Sequence, residues 1–549
     1  MSLPAFSTQA ELFSTAGLSS SLFASTDRYR LFAQMVYPAL AAARDALEKC
    51  YCADNGRVAI EPVLMLGVSL LQYLDGSPDR QAVEMLRYHA GWSFALKRQL
   101  GDNLFHPTTL VNFRQRLLEH EQSALGFQTI LDALAEAGLV SRQSRQRLDS
   151  TQMFGLVSRM SRLDCVRESL RLALQELESS AGPEARPEFW LELWERYVES
   201  QTDYRASSEV LGRKLVEAGT DTARLLAWAR EQAPDPLGWG PQLALLARVF
   251  QEQFEMSGTE AAPKDKTELS SDRVQNPHEP EATYAVKGEG QKKKEHVGYK
   301  VQVAETVTQA ELAPGEPTQN FLTGIVTHAA HQSDAAGAEK MEAEQAAMGL
   351  DKPPVQYVDG AYVSAEKLAA AQTEGRSLIG PAAAAAHNNG GRYTTEDFDI
   401  QVEQRRAICP AGKENTQCSR LEEHATGKVT YRFAWSTHCS DCPLRERCVG
   451  PGQPHRSVVV GEHHRLLQAR RQEQKTEAFA QQMKHRNGIE GTQSELVRAH
   501  GIRRARYRGL AKARLQNYFA GAACNVKRWI NRKLWELAQA AVETVPVGS

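Results

Sequence analysis

Arg486-Asn-Gly-Ile-Glu490-Gly-Thr-Gln-Ser-Glu-Leu-Val-Arg498 is the stretch that decides how this chain is read. It reads as helix, with Arg486 one turn before Glu490 and Arg498 two turns after it. Residues 484–533 carry thirteen Lys/Arg against two Glu. One acid inside so basic a field has two readings. It is a counter-ion for Arg486, at a favourable i,i+4 spacing, or a metal ligand at the edge of a polyanion site. The second reading needs partner carboxylates on strands upstream. Asp149 in Arg147-Leu-Asp-Ser-Thr151 and Asp359 in Val355-Gln-Tyr-Val-Asp-Gly-Ala-Tyr362 both qualify.

Working outward, 549 residues allow several domains, and an apolar share of 42% allows a sizeable core. The net charge of −2 does not by itself call for nucleic acid. Its distribution does, because residues 161–260 hold eighteen acids and eleven bases while 484–533 are strongly basic. A polyanion should meet the C-terminal part first. No apolar run reaches membrane-spanning length, and the start lacks the basic and apolar regions of a signal peptide. Five of the nine cysteines fall between 409 and 448, which fits a reduced cytosol better than scattered disulfides.

Helical spacing runs from Tyr29 to about Lys49. Pro62 opens a strong helix, Val63 to Leu74, stopped by Asp75-Gly-Ser-Pro78. Another follows from about Asp79 to His89. Thr108 or Thr109 caps a further helix whose Leu110, Phe113, Leu117 and Leu118 share a face. Arg114 and Arg116 lie off that face, as DNA readers or as solvated charges. A short strand is expected over Leu148 to Val157. Residues 160–256 read as helix with a Trp190, Leu193, Trp194 stripe, and 257–280 as linker or loop. Lys292-Lys-Lys294 reads as a solvated turn. Val297–Thr306 and Asn320–Ala329 pair antiparallel. A helix Ala335–Met348, the strand Val355–Asp359, a helix Ala365–Thr373 and the strand Ser377–Gly380 follow, giving a mixed α/β sheet. Residues 386–460, with His387-Asn-Asn-Gly-Gly391, form a small β-rich, cysteine-bearing module. Helix returns from Val460 through Met483, and a helix of about thirty residues begins at Leu510 with apolar residues on one side and Lys/Arg on the other.

Several motifs together carry a family resemblance. They are Leu148-Asp-Ser-Thr, Asn276-Pro-His-Glu-Pro-Glu-Ala-Thr-Tyr, Gly298-Tyr-Lys-Val-Gln-Val-Ala-Glu-Thr, the Asp359 strand, Cys409-Pro-Ala-Gly-Lys, Cys439-Ser-Asp-Cys-Pro-Leu-Arg-Glu-Arg-Cys, and Gly488-Ile-Glu-Gly-Thr with Tyr507-Arg-Gly-Leu-Ala-Lys. In this order, over nearly the whole chain, they resemble a bacterial insertion-sequence transposase with an Asp-Asp-Glu nuclease domain, of the family numbered eleven eighty-two. That family falls in the group with a Tyr-x2-Arg-x3-Glu-x6-Lys signature. The chain departs from the signature at Met483, where Tyr is expected, and at Val497, where Lys is expected. The base is displaced to Arg498, a turn of roughly 100° on a helix.

The resemblance implies an RNase H-like mixed sheet with a helical insertion, a small Cys-rich β insertion and an all-α N-terminal domain. Its implied boundaries are a mobile N-terminus over 1–27 and a DNA-end-binding helical domain over 28–140. The first catalytic strand lies within 141–160, and a helical insertion with linker spans 161–280. The sheet core covers 281–385, the Cys-rich insertion 386–460 and the C-terminal helices with the catalytic Glu 461–549. It implies metal-dependent DNA end cleavage and strand transfer by a cytoplasmic, nucleoid-associated homodimer or higher multimer acting on terminal inverted repeats and target DNA. A non-catalytic DNA-binding descendant of such an enzyme is the alternative, and a nuclease without strand transfer a third.

Two Mg2+ (or Mn2+) ions about 4 Å apart supply the chemistry for breaking a phosphodiester, and such hard cations need carboxylate oxygens. Asp149, Asp359 and Glu490 fit in order and element type, with the loop acids Asp334, Asp351 and Asp399 in reserve. Each of the three also has a plain structural role open to it, as cap, turn or ion pair. Arg486, Arg498, Arg503, Arg504, Arg506, Tyr507 and Lys512 are the expected DNA contacts, since bases interleaved with an aromatic neutralise phosphates and stack on bases. Cys439-x2-Cys442 with Cys448 and Cys409 has the ligand types of a structural Zn2+ site, with Cys418 and His438 as competitors and an iron–sulfur cluster or no metal as alternatives. Cys50 and Cys52 read as buried or free thiols.

Overall fold

The computed structural model describes all residues except 1–2, 5–14, 16–19, 53–57, 181–185, 201–205, 234, 236–237, 289–292, 309–311, 386–390, 425–426 and 544–549. Most of the N-terminal segment expected to be mobile, Lys292, and His387 to Gly390 lie outside the described residues. Strand β1 (Gln146–Phe154) is the centre of the sheet. A short hairpin, β2 (Phe254–Ser257) and β3 (Glu260–Pro263), occupies part of the stretch expected to be linker. The sheet is completed by β4 (Thr283–Lys287), β5 (Lys294–Thr306), β6 (Leu322–Ala329), β7 (Val355–Tyr357) and β8 (Ser377–Ile379). Its order is β4-β5-β1-β7-β8, with β6 also on β5. β5 runs antiparallel to β1, β4 and β6, whereas β7 lies parallel to β1, and β8 parallel to β7.

The two-residue period of the strands divides the core in two. Met153, Tyr299, Val301, Val303 and Ile325 join one cluster, and Leu148, Ala304 and Val326 join another. The first cluster is shared with the N-terminal helices α1 (Pro62–Asp75), α2 (Asp79–Tyr88), α3 (Thr108–Glu119) and α4 (Leu125–Glu136). Pro62 opens α1, and Gly76 at φ +68° closes it, the left-handed residue that ends many helices. These helices therefore share one continuous core with the sheet and with the long C-terminal helix. A separate lobe of α5 (Arg162–Ser180), α6 (Ser208–Gln232) and α7 (Pro241–Gln253) buries Trp190 and Leu193 in its own core.

On the sheet's second face lie α8 (Asp334–Ala347) and α9 (Ala365–Thr373). The cysteine module consists of β9 (Asp399–Gln401) paired with β10 (Arg406–Ile408), and the three-stranded β11 (Gln417–Glu422), β12 (Val429–Ala434) and β13 (Ser457–Gly461), packed around Phe398 and Trp435. α10 (His464–Glu473), α11 (Glu477–Ala499) and α12 (Leu510–Glu543) complete the chain. No helix among the described residues is long and apolar enough to cross a membrane.

Two expectations change. The strand expected to reach Asp359 stops at Tyr357, and Asp359 caps the next turn, accepting from the Ala361 N–H at 2.8 Å. Arg114 is neither solvated nor free for DNA. It is buried, and its guanidinium grips Asp79 through two bonds of 2.9 and 2.5 Å. Arg116 lies over the Tyr51 ring at 4.7 Å. A bidentate carboxylate and an aromatic face satisfy these cations from within the fold.

One buried network fixes α11 and α12 on the sheet. Glu305 of β5 is fully buried and accepts from Arg147 Nε at 2.6 Å, Thr492 Oγ1 at 2.7 Å and Arg528 at 2.5 Å. Arg528 also holds Glu495 at 2.9 Å. Removing the charge of Glu305 strands two largely buried guanidinium groups. Glu305→Gln is expected to lower unfolding free energy by about 3–5 kcal/mol, read from denaturant titration. A loss below about 1 kcal/mol would mean that Arg147 and Arg528 find other partners.

Candidate active site

The parallel pairing of β1 and β7 brings two acids together. Its register sets Gln146 beside Gln356 and Arg147 beside Tyr357. Continued two residues along both chains, it sets Asp149 alongside Asp359. Their proximity is visible in the electrostatics. Burial pushes the Asp149 carboxyl up, the Ser150 N–H and Arg486 pull it down, and the negative charge of Asp359 pushes it up again, for a net rise.

Helix α11 delivers the third acid. It crosses β1 so closely that a Cβ on Gly488 would collide with the Arg147 guanidinium, which also donates to the His485 carbonyl at 3.0 Å. Only glycine permits that approach. Arg486 then reaches across, donating to Asp149 Oδ2 at 2.7 Å and to Glu490 Oε1 at 3.3 Å. The Glu490 side chain is 69% exposed and that of Asp149 11%. One guanidinium thus stands between a buried and an exposed carboxylate. The donor set, two strand-linked Asp and an exposed helical Glu, is hard oxygen throughout and fits Mg2+ or Mn2+.

A polar cluster supports the acids from the other face of β1. Ser150 Oγ donates to Asp334 at 2.7 Å, and Lys300 Nζ lies 3.2 Å from Asp334. The Tyr362 hydroxyl donates to Gln302 Oε1 at 2.5 Å. Burial, then the charges of Asp334 and Asp149, hold that phenol protonated. A cavity of about 440 Å³ opens here, lined by Ser150, Gln152, Lys287, Lys300, His331 and Asp334. Lys300 and Tyr362 escaped sequence reasoning although both lie inside motifs quoted for the resemblance. Their side chains become interesting only once the acids are in place. Asp351 and Asp399 are exposed and stand apart from this group, Asp399 on β9 of the cysteine module.

The basic run 503–508 is an extended loop that lies along the end of β1. Phe154 N–H donates to the Arg503 carbonyl at 2.9 Å, and Ala505 N–H donates to the Phe154 carbonyl at 2.8 Å. Arg503 also donates to the Gln152 carbonyl at 3.2 Å. Arg498, Arg503, Arg504, Arg508 and Lys512 are exposed, with no ion pair among the described residues. Arg506 and Tyr507 turn inward: Arg506 lies over the Tyr73 ring at 4.5 Å, and Tyr507 lies under Arg114 at 5.0 Å. The two departures from the signature have a packing role, Met483 beside Tyr357 and Phe479, and Val497 against the main core.

Cys409, Cys439, Cys442 and Cys448 line one small apolar cavity together with His438, and all are free thiols. Lys413 N–H donates to Cys409 Sγ at 3.4 Å and Arg456 N–H to Cys439 Sγ at 3.5 Å. Cys448 is pushed up to about 11 by burial, countered by Arg456 and reinforced by the neighbouring thiols. Cys418 lies outside that lining, on β11 opposite Phe433. Cys50 is buried and Cys52 exposed. A different trio, Glu495, His500 and Cys524, has its ligand atoms within 4.8 Å of one another. Glu495 is already neutralised by Lys527 and Arg528, so a cation there would meet two positive charges.

The clamp between Arg486 and Asp149 gives a measurable coupling. Arg486→Ala leaves Asp149 buried without its cation and is expected to cost about 1.5–3 kcal/mol of stability at neutral pH. Adding Asp149→Asn should restore most of that loss, because a neutral amide does not need the guanidinium. Equal, additive losses in chemical denaturation would refute the coupling.

Residues 408–530 match a family model described as a transposase DDE domain, and residues 19–116 match one described as a transposase domain (DUF772). The first stretch contains Glu490 and the four clustered cysteines, while Asp149 and Asp359 lie outside both. No curated protein and no solved structure matches the chain. Independent matches near both ends of the chain support a transposase with a DDE domain.

Proposed function

We propose that this protein is an insertion-sequence transposase, of the kind numbered eleven eighty-two, that cleaves DNA at the ends of its element and joins the freed 3′ hydroxyls to target DNA. The observation that carries the proposal is that Asp149 and Asp359 follow the paired ends of β1 and β7 closely enough for their charges to interact, while Arg486 bonds to both Asp149 and Glu490. The strand order, antiparallel on one side of β1 and parallel on the other, favours an RNase H-like core. Asp149, Asp359 and Glu490 would hold two Mg2+ or Mn2+ ions, which when bound activate water and relieve charge at phosphorus.

The chain's own residues do the rest. Asp149 and Asp359 are fixed by backbone N–H bonds from Ser150 and Ala361. Glu490 lies on an exposed helix face, held by Arg486 alone among the described residues. Arg486, bonded to both Asp149 and Glu490, stands where its guanidinium would also reach a phosphate oxygen beside the acids. Arg498, Arg503, Arg504 and Lys512 hold the DNA backbone, and Arg506 and Tyr507 brace that loop against the N-terminal helices. Two copies on paired element ends suit such a reaction. Cys409, Cys439, Cys442 and Cys448 would hold a structural Zn2+, four thiolates being its usual closed set. A second reading, DNA binding without cleavage, draws on the apolar Met483 and Val497 at two signature positions.

Glu490→Gln separates the two readings. As an exposed helical pair with Arg486 it is worth only about 0.3–0.5 kcal/mol, so folding and DNA binding should be unchanged. Metal-dependent cleavage of DNA bearing the element's ends should fall by about a hundredfold or more. Asp149→Asn and Asp359→Asn should do the same, and combinations should add little. Near-normal cleavage by Glu490→Gln would sink the assignment. For the cysteines, elemental analysis should find about one zinc per chain, lost in Cys439→Ser or Cys442→Ser. Iron, or no metal in reduced protein, overturns that site.

A further inference from the structure

Beyond the acids, β1 ends on an open pocket of about 430 Å³. Its walls are Phe154, Leu156, Arg159, Tyr284, His296 and Arg504. Phe154 is 39% and Leu156 50% exposed, so two large apolar side chains meet solvent at the mouth of a charged cavity. Arg159 lies over the Tyr284 ring at 4.7 Å and reaches Glu295 at 3.4 Å. Phe154 meets the edge of His296 at 6.1 Å. His296 is 5% exposed, and both of its ring nitrogens are buried without a hydrogen-bond partner. The Ala285 backbone lies close enough to favour its charged form slightly, against the larger effect of burial, but no bond of ordinary geometry forms. The imidazole therefore forms the closed wall behind Phe154, with its ring nitrogens turned away from solvent.

Charge points to the occupant. Arg504 forms one wall and is bridged through its backbone to Phe154. Arg503 and Arg508 stand beside it, exposed and without ion pairs among the described residues. Aromatic faces for stacking, the Glu295 carboxylate for base-edge hydrogen bonds, and adjacent arginines without ion pairs for phosphate are together the requirements of a single-stranded nucleotide. An apolar peptide would leave the arginines unanswered, and a duplex could not insert into the cavity. Phe154 lies five residues from Asp149 on the same strand, about 17 Å at about 3.4 Å per residue, roughly the length of five stacked nucleotides.

We infer that the pocket at the end of β1 binds one unstacked nucleobase of an unpaired DNA strand, with Phe154 and Tyr284 as stacking surfaces and Arg504 on the adjoining phosphate. The inference rests on the proposed DNA chemistry and extends it. It assigns the protein a grip on single-stranded DNA that is separate from the acids and registered to them by a rigid strand.

The test uses the full-length protein and duplex DNA with a short oligothymidine tail carrying 2-aminopurine at successive positions. Bound protein should change the fluorescence strongly at one tail position and weakly at its neighbours. Phe154→Ala should abolish that signal and weaken tailed-DNA binding about tenfold, a stacking-sized loss, while plain duplex binding changes less than about twofold. Phe154→Leu, which keeps the apolar bulk and should fold normally, should lose the signal too. DNA binding by the wild type with no position-specific signal overturns the pocket and leaves the transposase proposal standing. Equal losses on tailed and plain duplex also overturn it, since they describe a general phosphate surface. Failure of the wild type to bind either DNA overturns both.

Discussion

Glu305 is the point on which the arrangement of this protein depends. A fully buried carboxylate on the central sheet is tolerable only with its charge answered, and Arg147 from β1, Thr492 from α11 and Arg528 from α12 converge to answer it. These partners come from segments hundreds of residues apart in sequence. Two of the three are neighbours of proposed metal ligands: Arg147 is two positions before Asp149, and Thr492 two after Glu490. Displacing α11 by even a fraction of a turn would break the Thr492 bond to buried Glu305 and the Glu495 pair with buried Arg528, both of which cost more than losing an exposed pair. The network therefore sets where Glu490 can be. Gly488, pressed against the Arg147 guanidinium, is the steric half of the same constraint.

Within that frame Arg486 has a double attachment. It neutralises Asp149 and touches Glu490, so the acids are held close without an ion, in a region where Asp149 and Asp359 already repel each other. Two carboxylates side by side are a poor arrangement unless something positive sits with them. In the proposed chemistry the acids would hold the cations, and the Arg486 guanidinium beside them would serve as a phosphate ligand. The proposed catalytic centre and DNA grip thus share one side chain.

The charges of the C-terminal part fall into two populations. Arg528, Lys527 and Arg532 are paired with Glu305, Glu495 and Glu316 and belong to the fold. Arg498, Arg503, Arg504, Arg508 and Lys512 are exposed and without ion pairs among the described residues. Arg506 and Tyr507 form a hinge between them, packed on Tyr73 and Arg114 of the N-terminal helices. Those helices consequently do more than flank the sheet. They brace the loop that carries the unpaired bases, and α12 threads the core they share with the sheet.

Much of this organisation was legible in the residues themselves, because helix and strand periods are local. Ala365–Thr373 was read to the residue, and Val63–Leu74 and Ala335–Met348 each within one residue of the helix found. The antiparallel pairing of β5 with β6 followed from β-formers separated by turn residues. The acids, the basic run and the four cysteines that line one cavity were also visible as types in order. Other features were not. Arg114 read as a DNA contact or a solvated charge because its spacing placed it off the apolar face, yet Asp79, on another helix, takes it inward. The stacking of Tyr507, the paired state of Arg486 and the pocket at Phe154 arise where distant segments meet. A sequence by itself determines which groups are available and how each segment repeats. Which buried charge finds which partner, and which acid faces which, is decided only by tertiary structure, since burial makes an unanswered charge intolerable and only the packed chain shows what is near enough to answer it.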